Sequence, residues 1–355
     1  MRDLIARWRG ESVVTAYDEP SDTWMFIALH DTTLGPAMGG VRMRVYPVIE
    51  DALIDAMRLA EGMTFKWATI GFGFGGGKGV LAVRAIPTGD ERIRLFRRFG
   101  RLVESLRGGY SCGPDLGTTP EDMATISLET THVHGVRGAG RETVDPGPFT
   151  ALGVFSGIKA ALRHIDGSDA LDGKTVLVEG VGDVGAPLAR MLGAANARVV
   201  IADLDAARAQ ALAAEIGGET VSAERVIGTV CDVYAPCAVG ATVNATTIPL
   251  LQCRIVAGSA NNQLFEPADA DRLHARGILY APDYVINGGG ALTFGLLALE
   301  GAEAGEELAR LVERRVADRL RAIFAEAAER DESPAHTADR QARRVLEQGL
   351  PDSSR

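Results

Sequence analysis

The stretch TVLVEGVGDVG, residues 175–185, decides the fold of the second half of this chain. Val176, Leu177 and Val178 form a continuous apolar run, which is typical of a strand buried on both faces of a parallel sheet. Three glycines follow with the spacing GxGxxG, and the next residues, APLARML, predict a helix. The first glycine permits a tight turn, the second lets a ligand approach the backbone, and the third lets helix and strand pack closely. The sequence therefore predicts a strand–turn–helix unit of a doubly wound α/β domain.

The strand that follows, over 198–202, ends at Asp203, which is the acid expected after such a glycine turn. Its carboxylate can accept hydrogen bonds from ribose hydroxyls, and the free amides at the start of the helix favour a diphosphate. Because a 2′-phosphate would meet that carboxylate, NAD is the predicted cofactor, although Arg208 leaves NADP open. The predicted cofactor-binding residues of this unit are Gly180, Val181, Gly182, Asp183, Val184, Gly185 and Asp203.

The composition argues against several classes of partner. The 355 residues carry a net charge of −10, which disfavours nucleic acid and anionic membrane surfaces. No apolar run approaches the roughly 18 residues that cross a bilayer, and the N-terminus lacks the apolar core of a signal peptide. The four cysteines show no CxxC spacing and the six histidines form no paired metal motif. We therefore predict a cytoplasmic protein with reduced thiols and no metal site.

The length is sufficient for two domains, each with its own core. Glycines and prolines concentrate at 140–150, which predicts a hinge between them. Other runs predict strands at 24–29, 232–234, 254–257 and 277–280, and helices at 50–63, 90–106, 150–165 and from about 303 onward. We predict a mixed α/β domain at 1–145, a Rossmann domain at 146–325, and C-terminal helices at 326–355 that pack on the first domain or on another subunit.

A second unusual stretch, GFGFGGGKGV at residues 71–80, places six glycines around one lysine, Lys78. A phosphate-binding P-loop is excluded, because that motif needs Ser or Thr after the lysine and position 79 is glycine. The glycines instead indicate that a substrate approaches the ammonium closely. Lys66 is the predicted second cation, so that one lysine holds a carboxylate while the other, with a lowered pKa, handles protons. The alternative is a pair of solvated surface lysines.

Several motifs, in order along the chain, resemble the glutamate/leucine/phenylalanine/valine dehydrogenase family. They are GMTFK ending at Lys66, GGGKG around Lys78, GPDLGTTPEDM around Asp115, and the blocks APCAVGATVN, AGSANNQL and APDYVINGGG. The resemblance runs from about Thr32 to Asn287. It implies a catalytic α/β domain and a Rossmann domain with an active-site cleft between them. It also implies a homo-oligomer that catalyses reversible NAD(P)-dependent oxidative deamination of an L-amino acid to a 2-oxo acid and ammonia.

The resemblance assigns roles to individual residues. It implies that Lys66 binds the substrate α-carboxylate in a pocket lined by Gly39 and Gly40. Lys78 would act on the water and the carbinolamine oxygen, and Asp115 would move the proton of the amino group. The remaining implied residues are Thr150, Cys237, Ala238 and Asn261 for the nucleotide and Asn262 for the substrate. Domain closure about the hinge is expected, because hydride transfer requires that water be excluded.

Met38, which precedes the paired glycines, is informative about the substrate. The resemblance implies that glutamate-specific members of the family have a lysine at this position. That lysine binds the side-chain carboxylate of the substrate. A thioether cannot pair with a carboxylate, so glutamate is disfavoured. The other implied pocket residues are Gly113, Ala291 and Phe294, and they leave branched aliphatic and aromatic substrates open. The segments HDTTLGPAM and GVFSGIKAA also resemble the tryptophan-acting branch.

Three positions depart from the family pattern. Val41 and Cys112 replace the usual threonines, and Gly147 replaces the usual serine. Losing three hydroxyls near the cleft predicts either weaker positioning of the reactants or an unusual substrate. Two alternatives therefore stay open: an NAD-binding homologue with weakened turnover that serves in sensing or assembly, and a 2-oxo- or 2-hydroxy-acid oxidoreductase that needs no ammonia.

Overall fold

The computed structural model describes residues 2–137, 142–299 and 305–350. The chain forms two compact units. Unit 1 comprises Met1–Asp145 with Ala342–Arg355, and unit 2 comprises Pro146–Gln341. Within the described ranges, no helix combines the length and the apolarity needed to cross a membrane.

Unit 1 is built on a five-stranded sheet. Its strands are β1 (Ser12–Asp18), β2 (Thr23–Leu29), β3 (Ala37–Val45), β4 (Gly75–Val83) and β5 (Tyr110–Pro114), in the order β1-β2-β4-β3-β5. The pairs β1–β2 and β2–β4 are antiparallel, whereas β3 pairs parallel with both β4 and β5. A separate short ribbon joins β6 (Val136–Arg137) to β7 (Glu142–Thr143). The glycine-rich β4 is therefore an inner strand of the main sheet.

The helices of unit 1 are α1 (Arg2–Trp8), α2 (Ile49–Ile70), α3 (Gly89–Ser105) and α4 (Pro120–Ile126). Because successive side chains of a strand point to opposite faces, the sheet has two separate cores. One core joins α2 to Phe26, Ala28, Val80 and Ala82 of the sheet. The other joins α3 and α4 to Met25, Ile27, Met43 and Leu81. Lys78 lies two residues before Val80 and four before Ala82 on β4, so its side chain is on the face that α2 covers.

The glycines of β4 have a different role from the one predicted. A Cβ on Gly76 would lie 2.0 Å from Thr64 Oγ1 and 2.3 Å from the Ala60 carbonyl oxygen, both on α2. A Cβ on Gly77 would lie 2.8 Å from the ring of Tyr110 on the opposite face. These glycines meet protein atoms rather than an open approach for a substrate. The interpretation of the whole glycine run as a wall that admits substrate was wrong, because close packing on both faces requires most of it.

Unit 2 contains a six-stranded sheet in which every neighbouring pair is parallel. Its strands are β8 (Thr175–Glu179), β9 (Arg198–Ala202), β10 (Glu219–Thr220), β11 (Val233–Pro236), β12 (Ile255–Val256) and β13 (Leu279–Tyr280), in the order β10-β9-β8-β11-β12-β13. The chain order reverses between β8 and β11, where a doubly wound sheet binds its ligand. The predicted strands of this sheet are confirmed.

Unit 2 and the C-terminus contain the predicted helices, with different bounds, together with helices that received no prediction. They are α5 (Gly147–Asp166), α6 (Gly185–Ala194), α7 (Ala206–Ile216), α8 (Ala268–Ala275), α9 (Asp283–Ile286), α10 (Gly289–Leu299), α11 (Glu306–Arg330) and α12 (Pro334–Gln348). In unit 1 the helix predicted at 50–63 continues to Ile70 and ends at Gly71, whose φ of 79° is left-handed. Of the predicted hinge at 140–150, residues 140 and 141 lie outside the described ranges, as does the stretch 300–304 at the predicted start of α11.

Candidate active site

Lys78 occupies the α2-covered face of unit 1, and it is buried. Strand β4 presents it two residues before Val80, and the neighbouring strand β3 presents Arg42 on the same face. Asp115 follows the last residue of β5, the strand beyond β3. Two adjacent strands and the loop after a third therefore bring one lysine, one arginine and one carboxylate together.

Asp115 bridges the two cations. Its Oδ1 lies 3.0 Å from Lys78 Nζ, and its Oδ2 accepts a hydrogen bond of 2.9 Å from Arg42 Nε. The backbone nitrogen of Asp115 donates to Thr118 Oγ1 at 2.9 Å, and that hydroxyl donates to the Val41 carbonyl oxygen. The carboxylate is therefore fixed by two charged partners and by a loop that is tied back to β3.

These contacts set the charge states of the two groups. Burial lowers the pKa of the Lys78 ammonium, and the positive charge of Arg42 lowers it further, while Asp115 opposes both effects. Burial alone would raise the pKa of the Asp115 carboxyl, but Lys78 and Arg42 outweigh burial and hold that pKa well below its usual range. A lysine that gives up its proton more readily therefore lies beside an aspartate that stays ionised. The predicted lowering of the Lys78 pKa is found, and Arg42 is a cation that contributes to it.

Arg42, Asp55 and Tyr46 are residues of this cluster that sequence reasoning missed. Arg42 Nη1 lies 3.0 Å from Asp55 Oδ2 on α2, and Tyr46 Oη donates to the same oxygen at 2.6 Å. Two signals were available. Arg42 lies two residues after Gly40 on a strand, which gives both residues the same face. Asp55 and Lys66 lie eleven residues apart on α2, which is close to three helical turns.

Of the predicted substrate residues of unit 1, Gly40 lies directly against this cluster. A Cβ on Gly40 would lie 2.7 Å from Asp115 Cβ and 3.4 Å from Lys78 Nζ, so only glycine leaves room for the pair. Gly39 and Gly113 are residues of β3 and β5, and Gly113 is paired directly with Gly40. Met38 is buried, and its carbonyl oxygen accepts a hydrogen bond of 2.9 Å from Trp67 Nε1. Lys66 lies half-buried on α2.

Two of the departures from the family pattern do not lie on the face of Lys78. Val41 and Cys112 are fully buried in the core formed with Leu81, Phe99 and Tyr110. That core covers the opposite face of the sheet, so the missing hydroxyls take no polar atom away from the face that carries Lys78. The third departure, Gly147, is the first residue of α5 in unit 2.

The glycine turn of unit 2 has the geometry of a dinucleotide site. Gly180 has a left-handed φ of 90°, and a Cβ on Gly185 would lie 1.8 Å from the Gly180 carbonyl oxygen. A Cβ on Gly182 would meet no described atom within 4 Å. Gly180 and Gly185 are therefore required by the turn itself, whereas Gly182 and the adjoining Asp183 lie open to solvent where a diphosphate would approach.

Hydrogen bonds fix the Asp203 carboxylate beside this turn. Its carboxylate accepts hydrogen bonds from the backbone nitrogens of Val181 and Asp205 and from Arg208 Nη2, at 2.8–2.9 Å. Burial would raise the pKa of Asp203, but the hydrogen bonds from Arg208 and the backbone lower it overall. Leu204 beside it is exposed. The residues present therefore fit the diphosphate and ribose of a pyridine nucleotide.

The other predicted residues of unit 2 lie on the loops after its strands and on α5 and α10. Cys237 and Ala238 directly follow β11, and a Cβ on Gly180 would lie 2.7 Å from Ala238 Cβ. Thr150 Oγ1 accepts a hydrogen bond from the Gly290 nitrogen, and Asn261 Oδ1 accepts one from Asn287 Nδ2 at 2.9 Å. The remaining predicted positions in this unit are Val184 before α6, Asn262 with a φ of 52°, and Ala291 and Phe294 on α10.

The structure also shows the state of the cysteines and the arrangement of the potential metal ligands. The four cysteines, all within the described ranges, are free. Across the part of the chain that the structure describes, no group of three or more His, Cys, Asp or Glu side chains is placed to hold a metal ion.

A doubly wound sheet with a dinucleotide turn and a separate unit with a buried lysine–aspartate pair define a pyridine-nucleotide oxidoreductase. Residues 21–132 match the family model of the Glu/Leu/Phe/Val dehydrogenase dimerisation domain. Residues 202–347 match the model of the Glutamate/Leucine/Phenylalanine/Valine dehydrogenase domain. The chain belongs to the Glu/Leu/Phe/Val dehydrogenase family.

Individual relatives agree with this assignment. The chain is 42% identical to leucine dehydrogenase of Geobacillus stearothermophilus, over 95% of this chain and 90% of the relative. It is 40% identical to phenylalanine dehydrogenase of Lysinibacillus sphaericus, over 79% of this chain and 75% of the relative. The crystal structure of L-tryptophan dehydrogenase from Nostoc punctiforme superposes with a TM-score of 0.76 and 38% identity, covering 98% of both chains. The predicted family, fold class and amino-acid dehydrogenase activity are confirmed.

Proposed function

We propose that this chain catalyses the reversible NAD-dependent oxidative deamination of a hydrophobic L-amino acid. The reaction consumes the amino acid, NAD and water, and it yields the 2-oxo acid, ammonium, NADH and a proton. The observation that carries the proposal is the buried Lys78 ammonium with its lowered pKa, 3.0 Å from the Asp115 carboxylate. A lysine whose ammonium gives up its proton more readily can take up and release a proton during turnover, which the addition of water to the substrate requires.

The chain's own residues have distinct tasks in this reaction. The nucleotide, when bound, accepts the hydride from the substrate Cα. Neutral Lys78 takes a proton from the water that adds to the imine carbon, and Lys66 holds the α-carboxylate. Asp115 accepts a proton readily only after Lys78 has lost its own, because the two cations together depress the pKa of Asp115. Loss of the proton from Lys78 therefore precedes proton uptake by Asp115.

The substrate is a hydrophobic amino acid rather than glutamate. Met38 is only 2% exposed and places a thioether, not a cation, before the paired glycines. An unpaired substrate carboxylate buried there would be costly. The names of the relatives refer to leucine, phenylalanine and tryptophan, which supports the same class. Both a branched aliphatic and an aromatic side chain agree with these observations.

NAD is the cofactor that Asp203 favours. A 2′-phosphate would meet this carboxylate, and Arg208, the nearby cation, already contacts Asp203 at 2.8 Å. The exposed Leu204 offers no charge to a phosphate. NADP is therefore expected to bind more weakly than NAD, through electrostatic repulsion by Asp203.

The proposal also includes the oligomeric state and the cellular location of the enzyme. The match of residues 21–132 to a dimerisation domain supports a homo-oligomer, and light scattering that returns the mass of a single chain would contradict it. Four free cysteines agree with a reducing compartment, so we propose a cytoplasmic enzyme. The net charge of −10 argues against nucleic acid or membrane partners.

A spectrophotometric screen tests the proposal. The purified enzyme is incubated with L-leucine, L-valine, L-phenylalanine, L-tryptophan and L-glutamate, each with NAD or NADP, at alkaline pH. We expect reduction of NAD with at least one hydrophobic amino acid and little reduction with glutamate or NADP. Absence of turnover with the whole panel would contradict the proposal. Reduction of a 2-oxo acid by NADH without ammonium would instead identify a 2-hydroxy-acid enzyme.

A further inference from the structure

The ionic cluster of unit 1 contains more charged groups than the proposed reaction uses. Lys78 and Asp115 have roles in it, but Arg42 and Asp55 do not. The side chains of Arg42 and Asp55 are 12% and 23% exposed. Removing such groups from water is costly unless each has a charged partner, so their presence needs an explanation.

The four charges form a chain rather than two separate pairs. Lys78 contacts one oxygen of Asp115, Arg42 contacts the other oxygen, and the same guanidinium reaches Asp55 with its Nη1. The planar fork of arginine makes this double contact possible, because Nε and Nη1 donate in fixed directions. Arg42 therefore determines where the Asp115 carboxylate lies relative to Lys78.

The groups around Lys78 also leave Arg42 as a local source of positive charge. Strand β2 places Ala28 opposite Lys78, and this side chain is uncharged. Tyr110 and Cys112 are buried, and β5 directs them to the opposite face of the sheet. Among the described residues, the charged or titratable side chains on the Lys78 face include Arg42 and Arg44 on β3, Tyr46 after β3, Asp55 and Lys66 on α2, His30 after β2, and Asp115 after β5.

We propose that Arg42 is a positioning residue for the reaction, holding Asp115 in contact with Lys78, and that Asp55 moderates the effect of the Arg42 charge on Lys78. This inference rests on the proposed function, because it needs Lys78 to exchange a proton during turnover. It assigns roles to Arg42 and Asp55 without contact between either residue and the substrate.

The two residues then have opposite effects on Lys78. Without the Arg42 charge, the carboxylates of Asp115 and Asp55 stabilise the ammonium of Lys78 unopposed, so it loses its proton at higher pH. Without the Asp55 charge, the Arg42 charge is less compensated and the ammonium loses its proton at lower pH. A purely structural role predicts no such opposition, because damage to packing would lower activity without moving the two profiles apart.

The test is the pH profile of kcat for oxidative deamination, since this profile reports groups of the enzyme–substrate complex. For Arg42→Met we expect kcat to fall about 100-fold. The acid limb is the low-pH side of the profile, where kcat falls as Lys78 becomes protonated. In this variant it should move up by about 1 pH unit. For Asp55→Asn we expect the limb to move down. Arg42→Lys keeps the charge but not the fork, so its limb should stay near that of the wild type while kcat remains low.

The matched control is Arg94→Met, which removes the same charge from an exposed position on α3, the helix that covers the opposite face of the sheet. We expect its profile to match the wild type. Tyr46→Phe removes one hydrogen bond to Asp55 without changing the charge, so its limb should move less than that of Asp55→Asn. If Arg42→Met does not fold, Arg42→Lys and Asp55→Asn decide the question.

The outcomes separate this inference from the proposed function. If the wild-type enzyme is active but the variants leave the acid limb unmoved, or move it in one direction only, the roles of Arg42 and Asp55 are overturned and the proposed function stands. An inactive wild-type enzyme would overturn both. Unchanged nucleotide affinity in every variant is also expected, because the dinucleotide turn belongs to unit 2.

Discussion

At the scale of single residues, the site of unit 1 depends on how closely three side chains approach one another. Lys78 is buried, and its nearest charged partner, Asp115, is shared with Arg42. Gly40 makes this sharing possible, since a Cβ at that position would lie 2.7 Å from Asp115 Cβ. The contact between Lys78 and Asp115 therefore requires glycine at position 40 for a steric reason.

Gly40→Ala is predicted to damage catalysis more than folding. The added methyl group displaces the Asp115 side chain and with it the contact to Lys78. We expect kcat to fall about 100-fold while nucleotide affinity stays unchanged. Steady-state kinetics and a nucleotide titration measure the two quantities. The control is Gly62→Ala on α2, where a Cβ meets no described atom within 4 Å. Equal activity of Gly40→Ala and wild type would contradict the prediction.

The sequence predicted Lys78 and Asp115 but not Arg42 or Asp55. Lys78 was recognisable because its glycine surroundings are unusual, and Asp115 because it belongs to a motif that resembles the family. Arg42 is an ordinary residue of an alternating strand, and its importance appears only when β5 brings Asp115 beside β3. Local sequence patterns carry no information about that pairing, which depends on residues more than seventy positions apart.

At the scale of secondary structure elements, β4 shows why composition misleads. Glycine disfavours strands, yet four of the nine residues from Gly75 to Val83 are glycines. Glycine occupies position 76 of this strand because α2 approaches so closely that a larger residue does not fit there. Packing between elements therefore overrides the intrinsic preference of the residue.

Gly76→Ala tests this explanation. The new methyl group would lie 2.0 Å from Thr64 Oγ1 and 2.3 Å from the Ala60 carbonyl oxygen, so α2 must move. We expect the free energy of unfolding to fall by about 3 kcal/mol. For the control Gly62→Ala we expect a gain of about 0.5–1 kcal/mol, because alanine favours a helix. Urea unfolding of both variants measures the difference, and equal stabilities would show that the packing explanation is wrong.

The glycine turn of unit 2 makes a second prediction at this scale. A methyl group on Gly182 enters open space, so stability should change by less than about 0.5 kcal/mol. The same methyl group obstructs the approach of a diphosphate, and we expect the Kd for NAD to rise about tenfold. Gly185→Ala should instead reduce stability, since its Cβ would lie 1.8 Å from the Gly180 carbonyl oxygen. Calorimetric titration and thermal unfolding distinguish the two, and unchanged NAD affinity in Gly182→Ala would refute the assignment.

Elements were predicted well where the hydrophobic pattern was local. The parallel strands of unit 2 are short apolar runs, and β8, β9 and β11 lie where such runs predicted them. The end of α2 was placed too early, because the polar residues after Met63 interrupt the apolar periodicity although the helix continues to Ile70. The strand β4 received no prediction, because a glycine run has neither a helical nor an alternating period.

At the scale of the whole molecule, the chain divides its tasks between two units. Unit 2 contains the glycine turn, and unit 1 contains the cluster of Lys78, Asp115 and Arg42. The family match extends over both, with residues 21–132 in unit 1 and the second match beginning at residue 202 in unit 2. Loss of the cluster should therefore abolish turnover without loss of nucleotide binding.

The most direct test is ammonium-dependent consumption of NADH by Lys78→Ala, with the 2-oxo acid that corresponds to the best amino-acid substrate. The control is Lys159→Ala, which removes a lysine that forms a 3.7 Å ion pair with Asp169 in unit 2. We predict a fall in kcat of about 10²–10⁴-fold for Lys78→Ala, with the affinity for NADH unchanged and the control fully active. A Lys78→Ala enzyme that consumes NADH at the wild-type rate would contradict the account.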